Sequence, residues 1–386
     1  MKFTLFCDLL SNLEAIATRD PPLLPKAAEE KSKNEIIQWF RSHRTIIDGH
    51  DTHDVALLSS LFPARRTDRV YNLQPPSLTK LLSRCLKIGS SRKKDLERWK
   101  QPGCGDLAAC VERVLSQAEN PLQTSNEVTI TEVDATLTEI ASRSNFSGPK
   151  IREQHTGASA NTVCQDLGDI YVRLQSREAK WLTRMILKDY SPVMLPEGLI
   201  FGSFHHLLPT LLKLHDNFEA ACTLLKGPEI GQMNPMPGPR EAKTQKALAA
   251  KVIVPKIGTK VGRPHYIKIR SVKHAMQVAY GRMMTLERKY DGEYCQIHID
   301  LSKKGNKIQI FSKSGKDSTS DRAGAHDTIR RCLRVGKDDC GFSSRCILEG
   351  ELLVWDDRDE KQLEFHKIRK HVSRSGVFLG TGKDSQ

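Results

Sequence analysis

The stretch ERKYDGEY, Glu287 to Tyr294, sets a lysine two residues ahead of an Asp-Gly pair. Two chemistries fit that spacing. Asp-Gly after an apolar stretch is a common turn, and Lys289 is then a solvated flank. Alternatively, the turn presents the Lys289 amine to a phosphorus as a nucleophile. A free lysine amine has a pKa of about 10.4 and is neutral in about one molecule in a thousand near pH 7.4. A nucleophilic role therefore needs nearby cations or desolvation, and Arg282 and Arg288 are the cations close in sequence. Gly292 permits a close backbone turn. Asp291 can accept hydrogen bonds from turn N–H groups.

Two later stretches carry further polar groups. IFSKSGKD (310–317) places Lys313 at a turn signal, Ser314-Gly315. LEGELLVW (348–355) places Glu349 and Glu351 around Gly350. On a strand both acids share one face, and two carboxylates there are costly if buried unpaired. Glu287 shares a face with Lys289 if that stretch is extended, with Arg288 and Tyr290 on the other side.

The elements that must hold these residues follow from periodicity. EYCQIHIDL alternates, with Cys295, Ile297 and Ile299 on one side and Gln296, His298 and Asp300 on the other. NKIQIFSKSGKD and RCILEGELLVWDD read as two more strands, and KVIVPKIG as strand-like. AHDTIRRCLRVGKDDC reads as a helix stopping near Gly336. Three strands with hairpin spacing and a helix predict an antiparallel α+β domain over 251–386.

Residues 1–228 read as a separate all-α domain. Helical spacing recurs in NEIIQWFRSH (Ile36, Ile37, Phe40), PSLTKLLSRCLKI (Leu78, Leu81, Leu82, Leu86) and REAKWLTRMILKDY (Trp181, Leu182, Met185, Ile186). The last of these carries Arg177, Lys180, Arg184 and Lys188 opposite its apolar stripe. That face is either solvated or a track along a phosphate backbone. SFHHLLPTLLKLHDNFEAACTLL continues as helix after Pro209, and 101–130 reads as loop around one helix. KGPEIGQMNPMPGPREAK is too rich in Pro and Gly for a helix or a central strand, which predicts a linker over 229–250.

Charge separates the two regions as well. The chain of 386 residues has a net charge of +14, and residues 241–386 hold 30 Lys and Arg against 18 Asp and Glu. A surplus confined to one end points to a polyanionic partner. The ten cysteines show no Cys-x-x-Cys pair and no zinc-like spacing with His, which predicts inert thiols in a reducing compartment. No apolar run approaches the roughly 20 residues of a membrane span, so no membrane partner is expected.

The ordered trio ERKYDGEY, IFSKSGKD and LEGELLVW resembles motifs I, Ia and III of the covalent nucleotidyltransferases: ATP-dependent DNA ligases, RNA ligases and capping enzymes. In the front half, SLFPARRTDRVYNLQPPSLTKLL, LERWK, DLGDIYVRL, AKWLTRMILKD and FHHLLPTLLKL resemble the helical DNA-binding domain of eukaryotic DNA ligases, most nearly the DNA ligase IV group. The resemblance implies a multidomain chain: an all-α DNA-binding domain, then an incomplete adenylation domain of antiparallel sheet, with the family's OB-fold and later motifs absent. It implies ATP and Mg²⁺ as cofactors, nicked or broken duplex DNA and end-joining repair proteins as partners, and a nuclear location.

Residue by residue, it implies that Lys289 becomes adenylated, Glu287 meets the adenine edge and Glu351 accepts from the ribose. Arg288, Tyr290 and Tyr294 line the same ATP site, and Lys313, Arg184 and Lys188 are the expected phosphate or DNA contacts. Glu349 is either structural or paired with a cation; no metal site is located, and Glu349 is the candidate carboxylate for one. Two positions depart from the family pattern. Tyr294 stands where motif I usually ends in Arg, and Lys313 where motif Ia has Arg, which removes bidentate phosphate geometry. The resemblance implies the N-terminal part of an ATP-dependent DNA ligase that seals DNA breaks in repair and recombination; the alternative those departures favour is a ligase-derived DNA-binding protein without catalysis. An RNA ligase or capping enzyme shares the trio but not the helical front half.

Overall fold

The computed structural model describes residues 1–49, 52–117, 128–154, 162–264, 266–370, 373–374 and 377–378. The chain divides into two compact units, one of residues 1–210 with 218–252 and one of 211–217 with 253–386. Residues 118–127, inside the stretch 101–130 expected as loop around one helix, and the tail from 379 lie outside the described residues.

The first unit is helical. Helix Phe3–Ala17 buries Phe3, Phe6, Leu10 and Leu13, a stripe at three- and four-residue spacing. Helix Ser176–Leu187 buries Trp181, Leu182, Met185 and Ile186 as the periodicity predicts. Trp181 is fully buried, and its indole N–H donates to Ser11 Oγ at 2.9 Å. The buried polar atom is thus paired while the ring fills the core. Helix Pro25–Ser42 buries Ile36, Trp39 and Phe40, and helix Pro75–Cys85 buries Leu78, Leu81 and Leu82. Stop signals act locally: Lys188 takes the left-handed conformation at φ 58° as the cap of Ser176–Leu187.

The Pro/Gly-rich crossing differs from its expectation. Helix Pro239–Ala249 begins inside it, with Gly238 as the N-cap and Pro239 in the first turn. Proline is tolerated there because the first-turn N–H has no partner within the helix, and its fixed φ suits the helix start. Residues 229–250 cluster with the first unit.

The second unit is built on a three-stranded antiparallel sheet of order β2-β1-β3, with β1 Glu293–Asp300, β2 Ile308–Ser312 and β3 Arg345–Leu352. Cys295, Ile299, Ile308 and Ile310 form its core with Ile329 of helix His326–Cys332. That is the face the alternation predicts. Among the described residues, no OB barrel follows the sheet.

The expected strand at KVIVPKIG does not form; 251–258 is irregular. Pro255 removes a ladder donor, and nearby backbone groups bond instead to side chains of β1. Helix Val272–Ala279 buries none of its side chains, and Met283 and Leu286 are each 98% exposed.

Candidate adenylation site

The Asp-Gly turn does not sit inside a hairpin. Residues 282–291 are irregular and β1 begins at Glu293, so the expected strand for Glu287 and Lys289 is corrected. Their common face no longer follows from pleat geometry. The turn is held by packing. A Cβ on Gly292 would lie 2.6 Å from the carbonyl oxygen of Leu352 and 3.2 Å from the Cβ of Glu351. Only a residue without a side chain lets the segment carrying Lys289 come down against the end of β3. Motif order along the chain thus becomes proximity: the turn residue of the first stretch touches the strand of the third.

On that strand Glu349 and Glu351 are both exposed, and they pair with Gln296 and Tyr294 of β1, in that order. The four side chains share one face. Tyr294 donates its hydroxyl to Glu349, diagonally across the pair. Burial and this hydrogen bond push the Tyr294 hydroxyl well above its ordinary pKa, so it stays a donor. A Cβ on Gly350 would meet nothing within 4 Å.

The rest of this face was missed by sequence reasoning. Gln296 and His298 are buried, at 2% and 1% exposure, under the strap 258–261. The Gly258 N–H donates to His298 Nδ1 at 3.1 Å, and the Val261 N–H donates to Gln296 Oε1 at 2.7 Å. Gln296 Nε2 donates back to the Val261 carbonyl at 3.1 Å. His298 is thereby a neutral imidazole with its proton on Nε2, which donates to Gln296 Oε1 at 2.9 Å. Burial lowers its pKa from 6.5 to about 4. The strap is anchored at its far end by Lys260, which pairs with Asp216 at 2.8 Å. The Gly262 N–H donates to the Lys213 carbonyl at 2.9 Å. This anchoring carries Arg263 over the Tyr294 ring, with the guanidinium carbon 4.7 Å from the centroid. The signal was present as polar residues on the second face of β1, but alternation alone reads them as solvated.

Lys289 is exposed, and its amine lies 3.4 Å from the carbonyl of its neighbour Tyr290. Glu287 is exposed. Arg288 stacks on Tyr290 at 5.3 Å, and Arg282 caps the preceding helix Val272–Ala279 by donating to the carbonyls of Val278 and Ala279. Both expected perturbing cations are thus engaged locally. Lys313 is exposed in the turn after β2, where Gly315 takes φ 88°. The structure places Glu349, Glu351, Tyr294 and the Gly292 turn together.

The cationic face expected on Ser176–Leu187 is corrected. Arg184 is buried, with Nε 2.8 Å from Asp106 and Nη1 2.8 Å from Glu14. Lys180 pairs with Glu14 at 2.6 Å and Glu112 at 2.9 Å. Lys188 donates to the carbonyls of Arg66 at 2.6 Å and Arg69 at 2.8 Å. Burial lowers its pKa to about 8. These side chains spend their donors inside the domain because acids and carbonyls from other helices meet them there. A different surface is cationic: residues 75–100 hold eight Lys and Arg against two acids, and Lys80, Arg84, Lys87, Lys93 and Lys94 are exposed.

Comparison with known families agrees with both halves. Residues 2–205 match the model described as DNA ligase N terminus, and residues 266–381 match the ATP dependent DNA ligase domain. DNA ligase 4 of Coprinopsis cinerea is 27% identical over 359 residues, covering 90% of this chain and 31% of the relative. A putative DNA ligase 4 of Oryza sativa subsp. japonica is 25% identical over 82% of this chain and 22% of its own. DNA ligase 4 of Aspergillus oryzae is 25% identical over 88% of this chain and 32% of its own. The chain therefore spans about a third or less of the relatives it matches. With a helical unit carrying the first match and the motif-bearing sheet carrying the second, the chain belongs to the ATP-dependent DNA ligase family.

Proposed function

We propose that this chain is the DNA-binding and nucleotide-loading part of an ATP-dependent ligase that seals breaks in duplex DNA. The observation that carries the reading is the seating of the Gly292 turn against Glu351 on β3. It brings a lysine-bearing loop to a face with two carboxylates and a phenol.

In this reading the Lys289 amine attacks the α-phosphorus of ATP. A P–N bond forms, and the bond to the departing pyrophosphate breaks. The adenylyl group then passes to a 5′-phosphate at a DNA break, and attack by the 3′-hydroxyl seals the strand and releases AMP. Glu351 accepts from the ribose, and Glu287 meets the adenine edge. Arg288, Tyr290 and Tyr294 border the nucleotide, and Lys313 meets the phosphate at the nick.

The residues fit a nucleotide. Lys289, Glu349 and Glu351 are exposed to a ligand, and Glu349 and Glu351 share their strand face with Tyr294. Among the described residues, no group of three His, Cys, Asp or Glu could hold a metal ion by itself. Magnesium sites commonly take one or two carboxylates plus substrate phosphates, and Glu349 is the carboxylate that would serve. Bound there, the ion would neutralise phosphate charge.

The first unit binds duplex DNA through phosphates. We assign that role to Lys80, Arg84, Lys87, Lys93 and Lys94 in place of Arg184 and Lys188, whose donors are occupied. Phosphate contacts position without reading sequence. A nuclear location and end-joining partners belong to the same reading.

The test is incubation of the full chain with Mg²⁺ and ATP labelled at the α-phosphate. Covalent label on a denaturing gel is expected, and it is lost in Lys289→Ala. Wild-type protein that takes no label, or Lys289→Ala that labels equally, overturns the nucleotide-loading assignment.

A further inference from the structure

Cys85 is the last residue of helix Pro75–Cys85, and Cys164 lies in the first turn of helix Val163–Tyr171. Their sulfurs are 2.8 Å apart. That is inside the roughly 3.5–4.0 Å at which non-bonded heavy atoms are comfortable, yet longer than the roughly 2.05 Å of a disulfide. The approach is built into the packing of the two helices. Gly168, one turn on from Cys164, is close enough that a Cβ there would contact the Cβ of Cys85 at 3.6 Å. Both cysteines are half-buried, whereas Cys7, Cys110, Cys222 and Cys295 are buried. A small reagent can therefore reach this pair.

We propose that Cys85 and Cys164 form a modification site, a dithiol that a low-molecular-weight disulfide such as oxidised glutathione converts to an intramolecular disulfide. One thiolate attacks the glutathione disulfide, forming a mixed disulfide and releasing one glutathione. The second protein thiolate attacks the protein sulfur of that mixed disulfide and releases the other. Two protein thiols are oxidised, the glutathione disulfide is reduced to two thiols, and the two protein protons end on the released glutathiones. Burial and the Cys164 contact push the Cys85 thiol up to about 12, which slows the first attack. The second step is intramolecular between sulfurs already touching, so the mixed disulfide does not persist. The product staples the helix bearing Lys80 and Arg84 to Val163–Tyr171.

The test equilibrates the folded full chain in glutathione buffers of rising oxidised fraction, traps free thiols, and reads intact mass and peptides. The expected result is loss of two hydrogens at the Cys85–Cys164 pair beside any glutathione added at Cys332, a cross-linked Cys85–Cys164 peptide and reversal by a reducing agent. Cys85→Ser and Cys164→Ser should each instead carry one glutathione on the remaining sulfur. Oxidation should raise the melting temperature of the wild type by several degrees and leave both variants unchanged. Exposed Cys332 is the internal control, since its glutathione adduct shows that the oxidant was competent. A wild type that modifies Cys332 but keeps both thiols, or that holds stable glutathione adducts at Cys85 or Cys164, overturns the proposal. Neither readout involves ATP or DNA.

Discussion

Tyr294 on β1 donates its hydroxyl to Glu349 on β3, while its direct cross-strand neighbour is Glu351. One phenol thus bonds one acid of LEGELLVW and sits opposite the other, at the position where the motif resemblance implies Arg. A phenol can donate one hydrogen bond but supplies no charge. The charge near this face comes from Arg263, held on the Tyr294 ring by the 258–261 strap.

Tyr294→Arg adds a guanidinium beside Glu349 and Glu351. Labelling of Lys289 by ATP should rise several-fold, whereas Tyr294→Phe should lower it and cost about 1 kcal/mol of stability through the lost hydrogen bond. Labelling time courses and urea unfolding check both. Unchanged labelling in both variants would sever Tyr294 from the nucleotide.

Gly292→Ala forces a Cβ to within 2.6 Å of the Leu352 carbonyl oxygen. The backbone must shift, at a cost of about 1–3 kcal/mol by analogy with overpacking. Lys289 labelling should fall at least tenfold even where circular dichroism shows a folded sheet. Gly341→Ala, at a position with open space, should do neither.

Two classes of cation should separate cleanly. Lys80→Glu with Arg84→Glu and Lys93→Glu should weaken duplex binding and flatten its salt dependence, with little change in stability. Arg184→Ala removes the ion pairs to Glu14 and Asp106, leaving Glu14 with Lys180, and should cost about 2 kcal/mol, with little effect on the salt slope of whatever remains folded. Binding isotherms at several salt concentrations, beside denaturant titrations, decide the matter. Equal loss of affinity in both sets would return Arg184 to the DNA surface.

His298 makes the second unit sensitive to acid. Its folded pKa of about 4 lies below the ordinary 6.5, so the folded state holds it neutral while the unfolded chain takes up a proton first. The stabilisation is complete above pH 6.5 and is lost as pH falls from 6.5 through 4, amounting to at most about 3 kcal/mol. Unfolding of the sheet followed across that window should show the slope, and His298→Asn should reduce it.

Much of the architecture was legible in the chain. Helical stripes such as Trp181, Leu182 and Met185, and the alternation of Cys295, Ile297 and Ile299, are local patterns set by 3.6 and 2 residues per repeat. The three motifs could be read because their residue types are tied to their neighbours in sequence. Helix Pro239–Ala249 was missed because proline content was weighed without position. What only the tertiary structure decided was partnership. Periodicity places Arg184 and Lys188 opposite an apolar stripe, but Glu14, Asp106 and two carbonyls arrive from distant segments and turn that face inward. The polar side of β1 looked solvated until the strap closed over Gln296 and His298. The Asp-Gly of ERKYDGEY reads locally as a plain turn, and only the fold shows Gly292 pressed on β3. Each of these is a contact between residues far apart in the chain, and local propensity carries no information about which group will occupy the other side.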